Sequence, residues 1–320
     1  MTEIYFEILR PGINTTMQDN GRYNLYHIGV TISGAMDQRN HNLANALVGN
    51  KPDIATIEFA YQGPLLKLKN GTIIFAISGN VLFNIIRKNS TTEKGVCYKN
   101  YVLNDEDKID IISTKKSVYG YLSVNNGFKI EKIWNSYSTN TKAKIGPNSG
   151  KKYSINEKIF INKNNLKRIK ERKLNYVNLN DNIIRVIKGT NFNYFSDTAI
   201  INFTNSEYLV TKLTDRMGMR LEGPRLKNII NANIKSEGLI RGTIQVPADG
   251  NPIILLSDHG TIGGYPKIAV VISVDLDKIS QMTPGTKIKF KEVNLKEAEN
   301  LYKNHLYETK HYLEQIKYNE

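Results

Sequence analysis

The chain has 320 residues and a formal net charge of +14, with 44 Lys and Arg against 30 Asp and Glu. This length accommodates two domains of ordinary size, and the single cysteine, Cys97, excludes internal disulfides and cysteine-cluster metal sites. No apolar run of about 20 residues is present, and residues 1–9 lack the basic-then-apolar order of a signal peptide. We therefore expect a cytoplasmic protein that does not insert into a membrane.

A surplus of positive charge is typical of proteins that bind nucleic acid, anionic surfaces or acidic ligands. The densest basic run here, residues 163–173, has few aromatic side chains and matches no nucleic-acid-binding motif. We interpret it as a solvated connector and expect no nucleic-acid partner.

Short strand-like segments dominate the first half of the chain. Residues 3–9 alternate as a strand, and residues 54–124 contain further apolar runs bounded by turn residues. The predicted strands are Ile54–Phe59, Leu65–Leu68, Thr72–Ile77, Val81–Ile86, Ile109–Ile112 and Val118–Val124. Regular short strands predict a barrel or sandwich and argue against alternating βαβ units.

One helix is predicted in this half, over residues 38–48. Leu43 and Leu47 share a face, Asp37 stands at the N-cap position and Gly49 follows the end. The backbone N–H groups at such a positive helix end can bind a carboxylate or phosphate. The alternative, which we adopt, is that Asp37 caps the helix, so that its side chain accepts from these N–H groups and leaves none for a ligand.

A basic, weakly periodic stretch, residues 156–182, separates two predicted halves, 1–175 and 176–320. The second half begins with a predicted strand, Ile183–Ile187, and two further β segments are expected around Ile200 and Tyr208. A C-terminal helix is predicted after Asn294, with Glu297 completing a capping box. Its apolar residues share one face: Leu295, Ala298, Leu301, Tyr302 and Leu306.

Residues suited to chemistry gather between two predicted buried strands, Pro252–Leu256 and Ile268–Val274. They are Asp258, His259, Thr261, Gly263, Gly264, Tyr265 and Lys267. The alternative for any one of them is a tight turn whose polar groups satisfy backbone amides. Their crowding favours a functional loop held by a rigid scaffold.

Several motifs, in order, resemble the biotin-dependent carboxyltransferase-domain family, also called allophanate hydrolase subunit 2 or KipA-like. Those of the first half are Thr15-Thr16, Gln18-Asp19, Gly21-Arg22, the run from Ser33 to Asp37, Ala44-Asn45, and Leu47-Val48-Gly49-Asn50. Those of the second half are Asp215-Arg216-Met217-Gly218, Arg220-Leu221, Gly223-Pro224, Gly242 with Ile244-Gln245-Val246-Pro247, and Gly263-Gly264-Tyr265-Pro266-Lys267. The resemblance runs over nearly the whole chain.

The chain departs from the family pattern at two places. Where the family commonly has Gly-Ser-Arg-Ser-Thr, this chain has Asn135-Ser136-Tyr137-Ser138-Thr139. Where a Gly-Asp pair is common, it has Asn156-Glu157.

The resemblance implies a mainly β protein with a few helices and two β-barrel-like, cyclophilin-like subdomains, one in each half. For stand-alone members it implies one component of an ATP-dependent 5-oxoprolinase, which hydrolyses 5-oxoproline to glutamate only in complex. The implied partners are two separate proteins, one KipI-like and one LamB/YcsF-like. Two alternatives stay open: the carboxyltransferase component of a biotin-dependent urea or allophanate system, and a non-catalytic KipA-like regulator.

Both reactions develop negative charge next to an amide, so they need cations and N–H donors at that point. We name Asp258 as the first candidate base, with His259 second, Lys267 as a catalytic cation, and Gln245 as a group that orients an amide. The substrate-binding candidates are Arg216, Arg220, Gly263, Gly264, Tyr265, Ser33, Gly34 and Gln18. The alternative for the two arginines is that they hold a loop by pairing with Asp215 or Glu222.

No Gly-rich Walker loop is present, so an ATP site is expected to be built differently or shared with a partner. No Met-Lys-Met biotinylation segment is present, so biotin, needed only under the carboxyltransferase alternative, would be carried by another chain. The sequence contains no Gly-x-Ser-x-Gly elbow and no Ser-Lys-Ser amidase pattern, which argues against an autonomous amidase. The five histidines lack metal-ligand spacing, and we expect no metal.

Overall fold

The computed structural model describes residues 3–163, 170–176, 181–229 and 233–318. The chain is mainly β and divides into two compact units. The first comprises Met1–Arg22, Ser33–Val177 and Glu308–Glu320, and the second comprises Tyr23–Ile32 and Asn178–Tyr307. The predicted division into family subdomains 1–175 and 176–320 stays a prediction.

The first unit contains two antiparallel sheets. The six-stranded sheet has the order Lys158–Phe160, Tyr5–Arg10, Leu65–Lys69, Lys108–Thr114, Val81–Ile86 and Thr92–Lys94. The five-stranded sheet has the order Thr16–Gln18, Thr56–Ala60, Tyr119–Val124, Ile73–Ser78 and Asn100–Leu103. Between Ser33 and Val177, the helical segments of this first unit are Gln38–Leu47 and the short turn Pro147–Gly150.

The two sheets differ in how their strands are buried. Strand Leu65–Lys69 alternates between buried and half-buried positions, as a strand with one face on the core does. Strands Ile73–Ser78 and Tyr119–Val124 are buried at every position. Helix Gln38–Leu47 explains the difference, because its Leu43 packs against the five-stranded sheet.

Polar side chains of this helix are buried, and each has a partner. Asp37 caps the helix as predicted, since its Oδ1 accepts the Asn40 backbone N–H at 2.9 Å. One ring nitrogen of His41, Nδ1, lies 2.9 Å from the Thr56 hydroxyl, and burial lowers the pKa of this histidine. Asn45 Nδ2 donates to the Ile54 carbonyl at 2.7 Å. The helix is therefore fixed on the sheet by polar as well as apolar contacts.

The second unit is built on a closed seven-stranded barrel. Its strands follow the order Ile183–Lys188, Lys267–Val271, Thr243–Gln245, Ile253–Leu255, Gly218–Glu222, Glu207–Thr214 and Lys287–Glu292. A two-stranded sheet pairs Glu237–Gly238 with Ile262–Gly263. The helices are Asp197–Asn205 and Leu276–Ser280, with 3-10 turns at Tyr26–Ile28, Phe192–Tyr194 and Ser273–Asp275; Leu295–Tyr318 forms the C-terminal helix of the chain.

The mainly β prediction is confirmed, and so are the predicted strands of the first half, with shifted ends. Four described strands of the first unit were not predicted, and each has only three or four residues: Thr16–Gln18, Thr92–Lys94, Asn100–Leu103 and Lys158–Phe160. The β segment predicted around Ile200 is wrong, because that residue lies in helix Asp197–Asn205. Ser196 caps this helix by accepting the Ala199 N–H at 3.2 Å, a start signal that the apolar content obscured.

The C-terminal helix is confirmed, and Asn294 Oδ1 accepts the Glu297 N–H at 2.9 Å. Its predicted apolar face is not buried throughout, since Leu295 is 64% and Leu306 50% exposed. No helix in the described ranges combines the length and apolar character needed to cross a bilayer.

The cap at Asp37 gives the first testable prediction. Asp37→Ala should lower the free energy of unfolding by about 1 kcal/mol, because the Asn40 N–H loses its acceptor. Asp37→Asn should cost much less, because asparagine caps about as well. Urea denaturation of the two variants measures the difference.

An Asp37→Ala variant as stable as the natural protein would contradict the capping role. Loss of activity in Asp37→Asn at unchanged stability would show that the charge itself is required.

Candidate functional site

The centre of the candidate site in the second unit is a buried ion pair. Strands Gly218–Glu222 and Ile253–Leu255 are antiparallel neighbours, so Arg216 before one and Asp258 after the other meet at the same end. Arg216 Nε donates to Asp258 Oδ2 at 2.8 Å, and Nη2 donates to Oδ1 at 3.1 Å. Their side chains are only 6% and 2% exposed.

This arrangement bears on the role of both residues. Arg216 does hold a loop, but its partner is Asp258; the Asp215 carboxylate instead accepts the backbone N–H of Met217 at 2.8 Å. A carboxylate whose two oxygens both accept from one guanidinium is a strongly stabilised anion. The geometry therefore disfavours Asp258 as a general base, a role that stays a prediction.

His259 lies next to the ion pair and is also buried. Its Nδ1 lies 2.6 Å from the Gly260 carbonyl, and its Nε2 lies 3.3 Å from the Tyr26 hydroxyl. Because a carbonyl can only accept, Nδ1 carries the proton and Nε2 accepts from Tyr26. Burial lowers the pKa of His259 and raises that of Tyr26. Both groups are therefore neutral near pH 7, and His259 is the better placed of the two candidate bases.

A cavity of about 510 Å³ opens beside this turn. Its lining includes Lys212, Asp215, Met217, Arg220, Leu255 and His259. Arg220 reaches it because strand Gly218–Glu222 alternates, with Met219 and Leu221 buried in the barrel and Arg220 exposed on the outer face. The structure thus brings Arg220 and His259 to one cavity.

Lys267 and Gln245 form a second group, paired across adjacent strands. The Lys267 ammonium makes an ion pair with Glu237, and the two side chains are 6% and 43% exposed. The hydrogen bond from Lys267 lowers the pKa of the Glu237 carboxyl. The Lys267 ammonium is thus buried and compensated, whereas a solvated surface lysine would be neither.

The two glycines of the turn permit close packing, Gly263 against Gln245 and Gly264 against Ile234. A Cβ at Gly263 would lie 2.9 Å from Gln245 Nε2, and one at Gly264 would lie 3.0 Å from the Ile234 carbonyl oxygen. Gln245 Nε2 also donates to the Tyr265 carbonyl at 3.4 Å. These residues form one cluster with Lys267, and Tyr265 is its exposed member.

The candidates of the first unit are engaged in its own structure. Gln18 is fully buried, and its Nε2 donates to the Thr139 carbonyl at 2.8 Å. Ser33 and Gly34 both have positive φ, 57° and 81°, and a Cβ at Gly34 would lie 3.0 Å from the Gly21 backbone nitrogen. These contacts explain the residue types structurally; a substrate role for the three stays a prediction.

The described ranges contain no cluster of three or more His, Cys, Asp or Glu side chains that could hold a metal ion.

The family model described as "Carboxyltransferase domain, subdomain A and B" matches residues 28–292. The chain belongs to this family. It is 31% identical over 303 residues to the C subunit of 5-oxoprolinase from Haemophilus influenzae, a match that covers 94% of this chain and 96% of that protein. It is 28% identical over 294 residues to the C subunit of 5-oxoprolinase from Escherichia coli, covering 91% and 92% of the two chains.

Two solved structures have the same fold. The K. lactis urea amidolyase matches with a TM-score of 0.87 at 25% identity, over 98% of this chain and 20% of that one. The Kluyveromyces lactis urea carboxylase matches with a TM-score of 0.87 at 26% identity, over 98% and 29%. The chain therefore spans about a fifth to under a third of these larger chains.

Asp19 belongs to the Gln18-Asp19 motif but was not among the predicted site residues. Its Oδ1 accepts the Gly21 N–H and the Ser136 hydroxyl, both at 2.8 Å, and its Oδ2 accepts the Tyr137 N–H at 2.6 Å. The buried carboxylate joins the opening motif to the segment 135–139. Its position beside Gln18 in that motif was the available signal.

Both departures from the family pattern place an asparagine where the backbone of this chain has a positive φ. Asn135 and Asn156 replace glycines common in the family, and their φ values are 60° and 65°. Asparagine adopts this left-handed conformation more readily than most other residues. Tyr137 stands where the family commonly has arginine, and the Lys132 ammonium lies 5.0 Å from its ring centroid.

The buried ion pair yields the second prediction. Arg216→Met should lower the free energy of unfolding by about 3–5 kcal/mol, because it leaves the Asp258 carboxylate buried without a partner. The double variant Arg216→Met/Asp258→Leu should recover much of the loss, because no buried charge remains. Chemical denaturation of the single and double variants measures both effects.

Lys287→Met is a matched control, because it breaks a Lys287–Glu207 pair whose side chains are 66% and 61% exposed. It should cost less than about 1 kcal/mol. If Arg216→Met lowered the free energy of unfolding no more than this control does, the buried Arg216–Asp258 pair would not be needed for stability.

Proposed function

We propose that the chain is the C subunit of an ATP-dependent 5-oxoprolinase, which hydrolyses 5-oxoproline to glutamate together with partner proteins. The observation that carries this proposal is the match to the Haemophilus influenzae protein, at 31% identity over 94% of this chain and 96% of that protein. The match to the Escherichia coli protein of the same name agrees with it. The proposed partners are a KipI-like protein and a LamB/YcsF-like protein.

The reaction consumes 5-oxoproline, ATP and two waters and yields glutamate, ADP and inorganic phosphate. Phosphoryl transfer from ATP to the lactam oxygen makes the ring carbon reactive toward water, which then opens the C–N bond. The residues of this chain contribute positive charge where the amide oxygen becomes negative. Lys267 is suited to that task, because its ammonium is held in place by Glu237 and needs no reorganisation.

The ATP site is proposed to be shared with a partner protein. The sequence has no Walker loop, so the phosphate-binding groups that such a loop provides would come from another chain.

A second candidate is the carboxyltransferase component of a biotin-dependent urea system. The fold likeness to the Kluyveromyces lactis urea carboxylase favours it. In that case biotin would be attached to another chain, and urea would replace 5-oxoproline. This candidate is the weaker one, because the chain covers only 20% and 29% of the urea amidolyase and urea carboxylase chains. It covers 96% and 92% of the two 5-oxoprolinase C subunits.

The third prediction tests the proposed activity directly. The isolated chain should not hydrolyse 5-oxoproline, whereas its complex with the KipI-like and LamB/YcsF-like proteins should show 5-oxoproline-dependent ATP hydrolysis. Coupled assays for ADP and glutamate measure both. The physical reason is that this sequence lacks a complete nucleotide site.

Robust turnover by the isolated chain would contradict the dependence on partners. Urea-dependent carboxyl transfer from a biotin carrier, without 5-oxoproline turnover, would replace the proposal with the second candidate. Complex formation without either activity would indicate a KipA-like regulator.

The fourth prediction concerns Lys267. Lys267→Met should lower turnover of the assembled complex at least tenfold, about 1.4 kcal/mol of barrier, with folding and partner binding retained. The fold is expected to survive because Glu237, left without its partner, is 43% exposed and can be solvated. Steady-state kinetics and thermal unfolding measure the two effects.

Lys267→Arg keeps the charge and should retain more activity than Lys267→Met. Lys287→Met removes an exposed lysine of the same barrel and should leave turnover unchanged. Near-normal turnover in the Lys267→Met complex would reduce Lys267 to a structural ion-pair partner.

A further inference from the structure

We propose that the cavity lined by Arg220, Lys212 and His259 is the binding site for a small carboxylate carried on an uncharged ring that has apolar methylene groups. This inference rests on the proposed function, under which 5-oxoproline is that ligand. The ligand carboxylate would bind Arg220 and Lys212, and the ring methylenes would contact the apolar part of the cavity.

The size and position of the cavity suit a small ligand. Its volume of about 510 Å³ lies in the ordinary range for small-molecule sites. It is formed on the outer face of the barrel by strands Glu207–Thr214, Gly218–Glu222 and Ile253–Leu255 and by the turn at His259 and Gly260. Rigid strands on several sides favour a preformed site.

The charges available in the cavity favour an anion. Among the described residues, none hydrogen-bonds or ion-pairs with the side chain of Arg220 or of Lys212. The one carboxylate in the lining, Asp215, already accepts the N–H groups of Met217 at 2.8 Å and Gly218 at 3.3 Å. A guanidinium can bind a carboxylate through two parallel hydrogen bonds, a geometry matched to Arg220.

Arg216 and Arg220 differ in what their guanidinium groups contact. The guanidinium of Arg216 is buried and makes a bidentate pair with Asp258. Its Nε and Nη2 groups therefore already donate to a protein carboxylate. Arg220, four residues further on, presents the same group in a cavity. A ligand carboxylate there would reproduce an interaction that the protein itself uses beside the site.

The remaining walls favour an apolar, uncharged body on the ligand. Ile253, Leu255 and Met217 contribute apolar surface to the cavity. His259 adds no charge near pH 7, because its Nδ1 donates to the Gly260 carbonyl and burial lowers its pKa. The ring methylenes of a five-membered lactam match this apolar surface, and a single carboxylate on the ring matches the two cations.

Calorimetric titration of the full chain with 5-oxoproline and with 2-pyrrolidinone, which lacks the carboxylate, tests the assignment. Binding of 2-pyrrolidinone should be at least tenfold weaker, and Arg220→Gln should weaken 5-oxoproline binding at least tenfold, whereas Arg220→Lys should lose less. Arg225→Gln, an exposed arginine outside the cavity lining, is the matched control and should leave the Kd unchanged. In the assembled complex, Arg220→Gln should raise the KM for 5-oxoproline at least tenfold.

The outcomes separate this site from the proposed function. If the complex hydrolyses 5-oxoproline and Arg220→Gln changes neither Kd nor KM, the site assignment is overturned while the function stands. If the complex does not hydrolyse 5-oxoproline but the chain binds another cyclic carboxylate, such as proline, through Arg220, the function fails while the site class stands. Tighter binding of inorganic phosphate than of any carboxylate would overturn the assignment.

Discussion

The buried pair between Arg216 and Asp258 is the interaction on which the candidate site depends. Two charges removed from water are tolerated only when each is the partner of the other, so neither residue can change alone without a large cost. The backbone N–H of Asp258 also donates to the Arg216 carbonyl at 2.8 Å, which joins the two segments. His259 and Gly260 on one segment, and Met217 and Gly218 on the other, line the cavity. The pair therefore sets the position of the cavity walls.

The same requirement for partners organises the first unit. Asp19, Asn40 and Glu58 are buried polar side chains, and Glu58 Oε2 accepts both the Met36 N–H at 2.8 Å and the Tyr121 hydroxyl at 2.9 Å. Buried polar groups of this kind are costly unless they are satisfied, and they specify one arrangement when they are. The opening motif that carries the family resemblance is therefore explained largely by folding, and its residues need no substrate contact to account for them.

Local patterns in the sequence predicted local structure well. The alternation of residues 3–9, the cap at Asp37 and the bounds Val81–Ile86 all correspond to observed elements, because each depends on neighbours in the chain. Partners distant in sequence could not be predicted in this way. The alternative to substrate binding considered for Arg216 was a pair with Asp215 or Glu222, yet its carboxylate partner is 42 positions away. Tyr26 likewise contacts His259 across 233 positions. Such pairs depend on which strands become neighbours, and periodicity carries no information about that.

The contrast between the cations of the second unit follows from strand geometry. Arg216 lies in the turn before strand Gly218–Glu222, where Asp258 can reach it, whereas Arg220 alternates outward between Met219 and Leu221. Lys267 begins its own strand, where Glu237 compensates its buried ammonium. A cation held by a protein carboxylate can stabilise developing charge without reorganising, but its partner already neutralises much of its field. A cation without such a partner can bind an incoming anion, at the cost of ordering its side chain. The barrel therefore provides one cation suited to each task.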